Sequence, residues 1–476
     1  MVFSSVTFLF GFLPALLVAY FLTPRRFRNA VLLLASLVFY TWGGGDFVLI
    51  LFGSTFVDWL LGHGIARGRA QDRPRIARSF LVLSVVFNLS LLVYFKYSNF
   101  FVDQVNELLA TFGVDSVGWT TVALPIGISF FTFERMSYTI DLYRGHCHAE
   151  RNPIDFLLFV SLFPRSIAGP IVRYAELEDQ LRHHPTRLDD LVEGGLRFSW
   201  GLAKKVIVAD TVAPIADAAF ANVDRLDTPS AWIGIAAYTI QIYFDFSGYS
   251  DMAIGLARVF GFRLPENFDR PYSAQSVTDF WRRWHMTLSR WFRDYVYVAL
   301  GGSRTTLRRT LVNLAIVFVL TGLWHGANWT FLVWGAYHGV LLVTERLTGQ
   351  RSFAASGVEL VVRRLVTFVL VMIGWVFFRA DSIDLAIDYL GAMFAGGWDG
   401  VVSPVLAELT RRASLVLALA VLVALLPTSF NGARVVTADA GVRGGIARFA
   451  LLTVALPYAI VLVASGTFSP FLYFQF

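Results

Sequence analysis

Thr321-Gly-Leu-Trp-His-Gly-Ala-Asn328 sets one histidine inside strongly apolar sequence. The residues before it, Leu311 to Leu320, and after it, Phe331 to Val343, are nearly all hydrophobic. Paired apolar runs of this kind read as membrane helices, and an ionisable side chain between them is costly enough to mark a functional site. The competing role for His325 is a hydrogen-bonded link between helices. Gly322 and Gly326 flank it, and their small size is expected to let a second group or a substrate reach the imidazole.

The rest of the chain agrees with a membrane protein. Of its 476 residues 56% are hydrophobic and only 16% charged, far from the polar surface a soluble protein of this length needs. Phe (44) and Trp (13) are abundant, as lipid-facing helices and interfacial aromatic belts require. The net charge of +6 sits in loops, which points to orientation and contact with anionic membrane lipids and not to nucleic acid. Cys147 is the sole cysteine, so no intrachain disulfide forms. Met1 to Leu22 has neither a basic n-region nor a small-residue cleavage site and reads as a retained first span.

Apolar stretches recur at residues 6–22, 30–42, 47–61, 80–95, 154–168, 232–246, 312–323, 331–343, 365–378, 415–426 and 449–465. A weaker one covers 196–212, and Leu124–Phe133 reads as re-entrant. At ~20 residues per crossing several are short, and about ten to twelve true spans with buried, re-entrant or interfacial pieces are expected. Arg25, Arg26 and Arg28 follow the first span, and Arg67, Arg69, Arg73, Arg75 and Arg78 follow the third. Both loops are therefore expected in the cytoplasm, with Gly43–Asp46 and the N-terminus outside.

Phe280-Trp-Arg-Arg-Trp-His-Met-Thr-Leu-Ser-Arg-Trp-Phe-Arg-Asp-Tyr295 has a different pattern. Wound as a helix, Trp281, Trp284, His285, Leu288, Trp291, Phe292 and Tyr295 share one arc, and Arg282, Arg283, Arg290 and Arg293 share the other. That predicts a basic amphipathic helix at the membrane surface. It serves either as a plain anchor or as a functional element, and His285 on its apolar arc needs a partner or a chemical role.

Other polar islands lie at Leu124–Phe130 with Glu134 and Asp141, at Phe163–Pro170, and at Asp245-Phe-Ser-Gly-Tyr-Ser-Asp251. Glycine and proline at these places predict broken helices lining a polar chamber in the bilayer. Asp245 and Asp251 either contact a substrate or cation, or cap helix ends. No phosphate-binding Gly-rich loop and no zinc motif is present, and the histidines at 146, 148, 183 and 184 read as ordinary loop residues. A neutral imidazole in a water-poor chamber is well suited to taking the proton of an alcohol as that alcohol attacks an activated acyl group. A thioester donor needs no metal and no second nucleophile. His325 then acts as base and His285 as a positioning or polarising group.

Trp324-His325-Gly326, the segment around His285 and Asp245-Phe-Ser-Gly-Tyr-Ser-Asp-Met-Ala-Ile-Gly255 together resemble the membrane-bound O-acyltransferase (MBOAT) superfamily. Leu124–Phe130, Ile167-Ala-Gly-Pro170, Pro265-Glu-Asn-Phe268, Leu300-Gly-Gly-Ser-Arg304 and the opening Met1-Val-Phe-Ser-Ser point to its bacterial alginate O-acetyltransferase-like branch. The resemblance covers about residues 1–379; residues 380–476 carry generic spans. It implies a donor bound from the cytoplasm and an acceptor reached from the far side. It also implies that His325 matches the catalytic histidine and His285 a second characteristic site. Family members often carry histidine where this chain has Arg165, a position that could change donor or partner recognition.

The expectation is a single all-α, polytopic transmembrane bundle over residues 1–476, around a central polar chamber, in the bacterial inner membrane. It moves an acetyl group from acetyl-CoA or another acyl thioester to hydroxyls of an exported polysaccharide, directly or through a relay protein outside. No cofactor is held permanently. Asp245, Ser247 and Asp251 are expected donor or substrate contacts, as are Arg282, Arg283, Trp324 and Asn328. The rival readings are a cell-wall polymer acyltransferase, acting in teichoic acid D-alanylation or peptidoglycan O-acetylation, and a polysaccharide transporter.

Overall fold

The computed structural model describes residues 1–349, 355–398, 404–426, 432–437, 441–466 and 471–472, and among these there are helices and turns with no strand. Five helices among the described residues are long and apolar enough to cross a membrane: Phe47–Ala70, Pro74–Thr111, Leu307–His325, Gly357–Arg379 and Gly441–Ala464, with the shorter apolar Thr7–Leu22 beside this set. The chain is an all-α, multi-pass membrane protein. The expected ten to twelve spans are not matched by as many long apolar helices among the described residues. Arg28–Gly44 has 17 residues and Arg411–Leu425 has 15. Thr228–Val259 and Trp329–Thr348 are long enough but are not among the five.

The described chain forms two compact units. The first comprises Met1–Leu191 with Leu256–Leu264. Its backbone is the hairpin of Phe47–Ala70 and Pro74–Thr111, turned at Gln71–Arg73 by Asp72 with φ 52°. Gly68 lets the two arms close: a Cβ there would sit 2.7 Å from the Ala77 nitrogen. The arginines of this turn are exposed at the hairpin's end, while Arg69 donates to the Leu142 carbonyl at 2.7 Å. The second arm has 38 residues, about 57 Å at 1.5 Å per residue, so it overreaches a ~30 Å hydrocarbon layer.

Buried charge ties this unit together. Asp58 accepts from Ser84 at 2.6 Å and Asn88 at 2.8 Å, and faces Arg135 of the Ile128–Arg144 helix at 3.6 Å. The preceding residue, Glu134, pairs with Arg165, whose side chain is wholly buried. This corrects the reading of 154–168 as one span. The helix there stops at Ser161 and the chain turns through Phe163–Pro170. Pro164 removes a backbone donor, and Gly169 folds so tightly that a Cβ would overlap the Arg165 Cα. Arg165 thus answers a protein carboxylate.

The second unit comprises Val192–Gly255 with Pro265–Phe476. The segment Asp245–Asp251 does not break its helix, contrary to expectation; it lies inside the continuous Thr228–Val259 helix. Gly248 serves packing instead. A Cβ on it would meet the Gly201 carbonyl at 2.8 Å, and one on Gly201 would meet the Gly248 carbonyl at 2.5 Å. The run at 196–212 is helix to Ala203, then a π-helical turn over Lys204–Ala209, then helix from Asp210. Such a wide turn re-aims side chains, here Lys204 and Lys205.

Glu134→Ala leaves Arg165 buried without its nearest counter-charge, a change that costs about 3–5 kcal/mol in such settings. Detergent-solubilised Glu134→Ala should therefore unfold at clearly lower temperature than the wild type, with Glu134→Gln in between. Equal unfolding temperatures would show that this pair does not hold the unit together.

Candidate active site

His325 is the last residue of the Leu307–His325 helix, and Asn328 starts Trp329–Thr348 after a turn of two residues. Asn328 does this by accepting the Thr330 N–H at 3.1 Å while donating to the Asp381 carbonyl at 2.9 Å. Its amide is thus committed to holding the turn. The hairpin is closed by glycine. A Cβ on Gly322 would overlap the Phe331 carbonyl, and one on Gly335 that of Phe318. A Cβ on Gly326 would overlap the Phe331 ring. The glycines beside His325 therefore admit the protein's own chain, and the expectation that they open a path for substrate is corrected.

The His325 ring is enclosed by aromatics: Trp324 at 4.9 Å between centroids, Trp334 at 5.1 Å and Phe378 at 5.1 Å, all edge-on. His285 lies 6.5 Å from it, ring to ring. Phe246 stands edge-on to His285 at 4.8 Å and Trp324 is 5.9 Å away. Both histidines are buried, at 0% and 4% exposure. So the two histidines picked out far apart in sequence share one box, with Trp324 packed beside both.

The helix expected to carry His285 is not continuous. It runs from Val277 to Trp281, breaks, and resumes at Met286–Phe292 before a π-helical turn over Arg293–Tyr297. His285 itself occupies the left-handed region, φ 43° and ψ 53°, a conformation that costs a non-glycine residue about 1–3 kcal/mol. The break arises because an incoming length of chain takes the helical hydrogen bonds. The Met286 N–H donates to the Asn267 carbonyl and the Asp269 N–H to that of Arg283, each at 2.9 Å. At the other end Glu345 accepts from the Val277 N–H at 2.6 Å, the Thr278 N–H at 2.9 Å and the Thr278 hydroxyl at 2.6 Å. The amphipathic division survives the break: the seven apolar-arc residues are buried, and Arg282 and Arg293 are exposed. Arg283 instead binds Asp279 at 2.7 Å.

The acidic residues have partners that sequence reading missed. Asp245 meets Lys205 at 2.7 Å and accepts the Leu472 N–H at 2.9 Å; Lys205 also holds Asp210 at 2.7 Å. Asp251 accepts from Arg197 at 2.7 Å and Lys204 at 2.9 Å, and Arg197 continues to Glu266. Around Asp251 lies a cavity of about 100 Å³ lined by Arg197, Lys204, Tyr243, Ser247, Glu266 and Asn267, among others. Neither His285 nor His325 lines it; Asn267 and Phe268 border both places, since Phe268 packs on Phe246 at 5.0 Å.

A third buried histidine, His338, was not anticipated from the sequence. It lies one turn beyond Trp334, 5.2 Å from it, and takes the Trp281 indole N–H on Nδ1 at 3.4 Å. A signal for it existed, since it sits in the same apolar run 331–343 that frames His325.

Known proteins match the chain directly. Residues 127–379 match the model of MBOAT, the membrane-bound O-acyltransferase family. The chain is 46% identical to the probable alginate O-acetylase AlgI of Azotobacter vinelandii over all of both chains. It is 49% identical to that of Pseudomonas aeruginosa over 86% of this chain and 77% of the relative. A peptidoglycan O-acetyltransferase of Helicobacter pylori is 35% identical over 87% and 82%. The chain belongs to the membrane-bound O-acyltransferase family. It is an O-acyltransferase, and the transporter reading is set aside.

Cys147 lies in the loop after the Ile128–Arg144 helix and is buried. Burial, with Asp141 and Glu178 nearby, pushes its thiol pKa up, away from the reactive thiolate. The neighbouring histidines face carboxylates: His146 is 3.6 Å from Asp141 and His148 3.0 Å from Glu178. Cys147→Ser should therefore keep most of the transferase activity. A well-inserted but inactive Cys147→Ser protein would demand an acyl-thiol intermediate.

Proposed function

We propose that this chain is an inner-membrane O-acetyltransferase of an exported, alginate-like polysaccharide. The observation that carries the proposal is the aromatic box holding His285 and His325 with ring centroids 6.5 Å apart. The near-full-length similarity to alginate O-acetylases supports the choice of polymer, and supports treating both units as one catalytic domain. Acetyl-CoA, or another acyl thioester from the cytoplasm, is the donor. The acceptor is a glycan hydroxyl, reached directly or through a relay protein outside.

In the transfer, the hydroxyl oxygen attacks the thioester carbonyl and a C–O bond forms. The C–S bond breaks and the thiol leaves. His325 takes the hydroxyl proton during attack and returns it to the departing sulfur, so no net proton is consumed. His285, across the box, orients the group held between the rings. Hydrogen-bond reach from each imidazole is about 2.6–3.2 Å, and rings whose centroids lie 6.5 Å apart can both reach one group seated beside them. Ser247 and Asp251, beside the cavity, are the donor-side contacts, and Arg282 and Trp324 are further substrate contacts. Asp245, Arg283 and Asn328 have structural partners that account for them.

A second reading, peptidoglycan O-acetylation, is favoured by the Helicobacter pylori relative. Acetyl content of exopolysaccharide and of peptidoglycan, measured in a deletion strain, separates the two: the one that falls names the acceptor.

The Arg67–Arg78 loop should face the cytoplasm, because short arginine-rich loops are retained there. A cysteine placed in it, on a Cys147→Ser background, should resist membrane-impermeant thiol reagents in intact cells. Ready labelling would invert the orientation and place the donor entrance on the wrong face.

Loss of a general base lowers rate by ~100- to 10,000-fold. His325→Ala and His325→Gln should both abolish polymer acetylation in a complemented deletion strain while the protein still accumulates in membranes. Glutamine hydrogen-bonds but cannot take the proton. Normal acetylation by His325→Gln would reduce the imidazole to a packing group.

A further inference from the structure

We propose that Asn267, in Pro265-Glu-Asn-Phe268, is a positioning residue that holds His285 in its left-handed conformation and thereby sets the imidazole in the box. This rests on the reading of His285 as a participant in acyl transfer.

The hydrogen bonds around His285 are those of a helix diverted. In an unbroken helix the Met286 N–H would donate to the Arg282 carbonyl and the Thr287 N–H to that of Arg283. Here Met286 donates to the Asn267 carbonyl at 2.9 Å, and the Arg283 carbonyl accepts from Asp269. The Asn267 side chain completes the diversion. Its Oδ1 accepts the Thr287 hydroxyl at 2.9 Å and the Thr287 N–H at 3.4 Å. Its Nδ2 donates to the Ser250 hydroxyl at 3.2 Å. Asn267 is wholly buried.

The position needs an acceptor on one side and a donor on the other, which asparagine supplies without burying a charge. Ser250 lies one helical turn from Phe246, the ring that stands edge-on to His285. One amide therefore links the wall of the box to the segment that carries the imidazole. Non-glycine residues persist in the left-handed region only where surrounding contacts over-determine them. Without the amide, His285 relaxes toward helical dihedrals and its ring swings out of register with His325.

The test uses full-length protein in membrane vesicles from the native strain, supplied with radiolabelled acetyl-CoA. Vesicle protein levels are checked, and acetyl transfer to polymer is followed against donor concentration. Asn267→Ala should lower kcat by ~10- to 100-fold, the scale of a misplaced catalytic group, whatever it does to donor KM, since Asn267 also lines the donor-side cavity. Thr287→Val, which keeps the shape and deletes the hydroxyl, should act in the same direction. Thr287→Ser, which restores the hydroxyl, should return near-wild-type kcat. The Asn267→Ala/Thr287→Val double variant should be no slower than Asn267→Ala alone, since both remove one hydrogen bond. If Asn267→Ala fails to accumulate, the Thr287 pair still decides the matter. Wild-type kcat in Thr287→Val, with His285→Ala inactive, would overturn the positioning role and leave the acyltransfer reading intact. Full activity in His285→Ala would overturn that reading itself.

Discussion

The geometry of the box depends on a length of chain, Asn267–Asp269, that inserts its backbone hydrogen bonds where a helix would make its own. A helix through 280–295 would pair its interior donors and acceptors locally and would match the periodicity of its apolar residues. It would also carry His285 on a smooth surface at ordinary dihedrals. Diverting two main-chain bonds opens the helix over Arg282–His285 and sets His285 at its end in the left-handed region. The strain of a left-handed histidine is then offset by bonds to a buried asparagine and by aromatic contact with Phe246. Helix interruption is tolerated where surrounding protein re-satisfies the freed backbone groups, as Asn267 and Asp269 do for Met286 and Arg283.

Glycine acts in a complementary way. Between Leu307–His325 and Trp329–Thr348 it removes side chains so that the two backbones touch, and with no hydrophobic driving force between helices in lipid such close packing is what joins them. The same holds between Gly201 and Gly248. Close approach at Gly322, Gly326 and Gly335 holds Trp324 and Trp334 against the histidine, so this part of the box is a consequence of the hairpin's tightness. Polar side chains within it are few, which disfavours water beside an acyl group in transfer.

Buried charge is managed by pairing. Asp58 with Arg135, Glu134 with Arg165, Asp245 with Lys205, and Asp251 with Arg197 and Lys204 each combine residues from different helices or from a helix and a turn. A lone charge in such surroundings is strongly unfavourable, so each pair also fixes which segments stand side by side. Several of these residues look functional in isolation because ionisable groups in apolar sequence usually are. Their partners show that most serve assembly, and Asp251 also lines a cavity.

The sequence by itself determined the solvent, the helical class and both histidines of the box. These are local properties: apolar density reports the membrane, and a histidine within it is conspicuous whatever packs around it. The burial of Trp284, Leu288 and Trp291 was likewise legible, because side-chain direction follows helical period even on both sides of a break. Only the tertiary structure decided that the helix opens at His285, that Asp245 and Asp251 face lysine and arginine, and that Asn328 caps a turn. It also decided that Gly322 and Gly326 receive the protein's own chain. Most of these depend on a partner tens to hundreds of residues away, such as Leu472 for Asp245 or Asp381 for Asn328, whereas Gly322 and Gly326 meet Phe331 across one hairpin turn. A local pattern records that a polar group needs satisfaction; which group satisfies it is settled when distant segments pack.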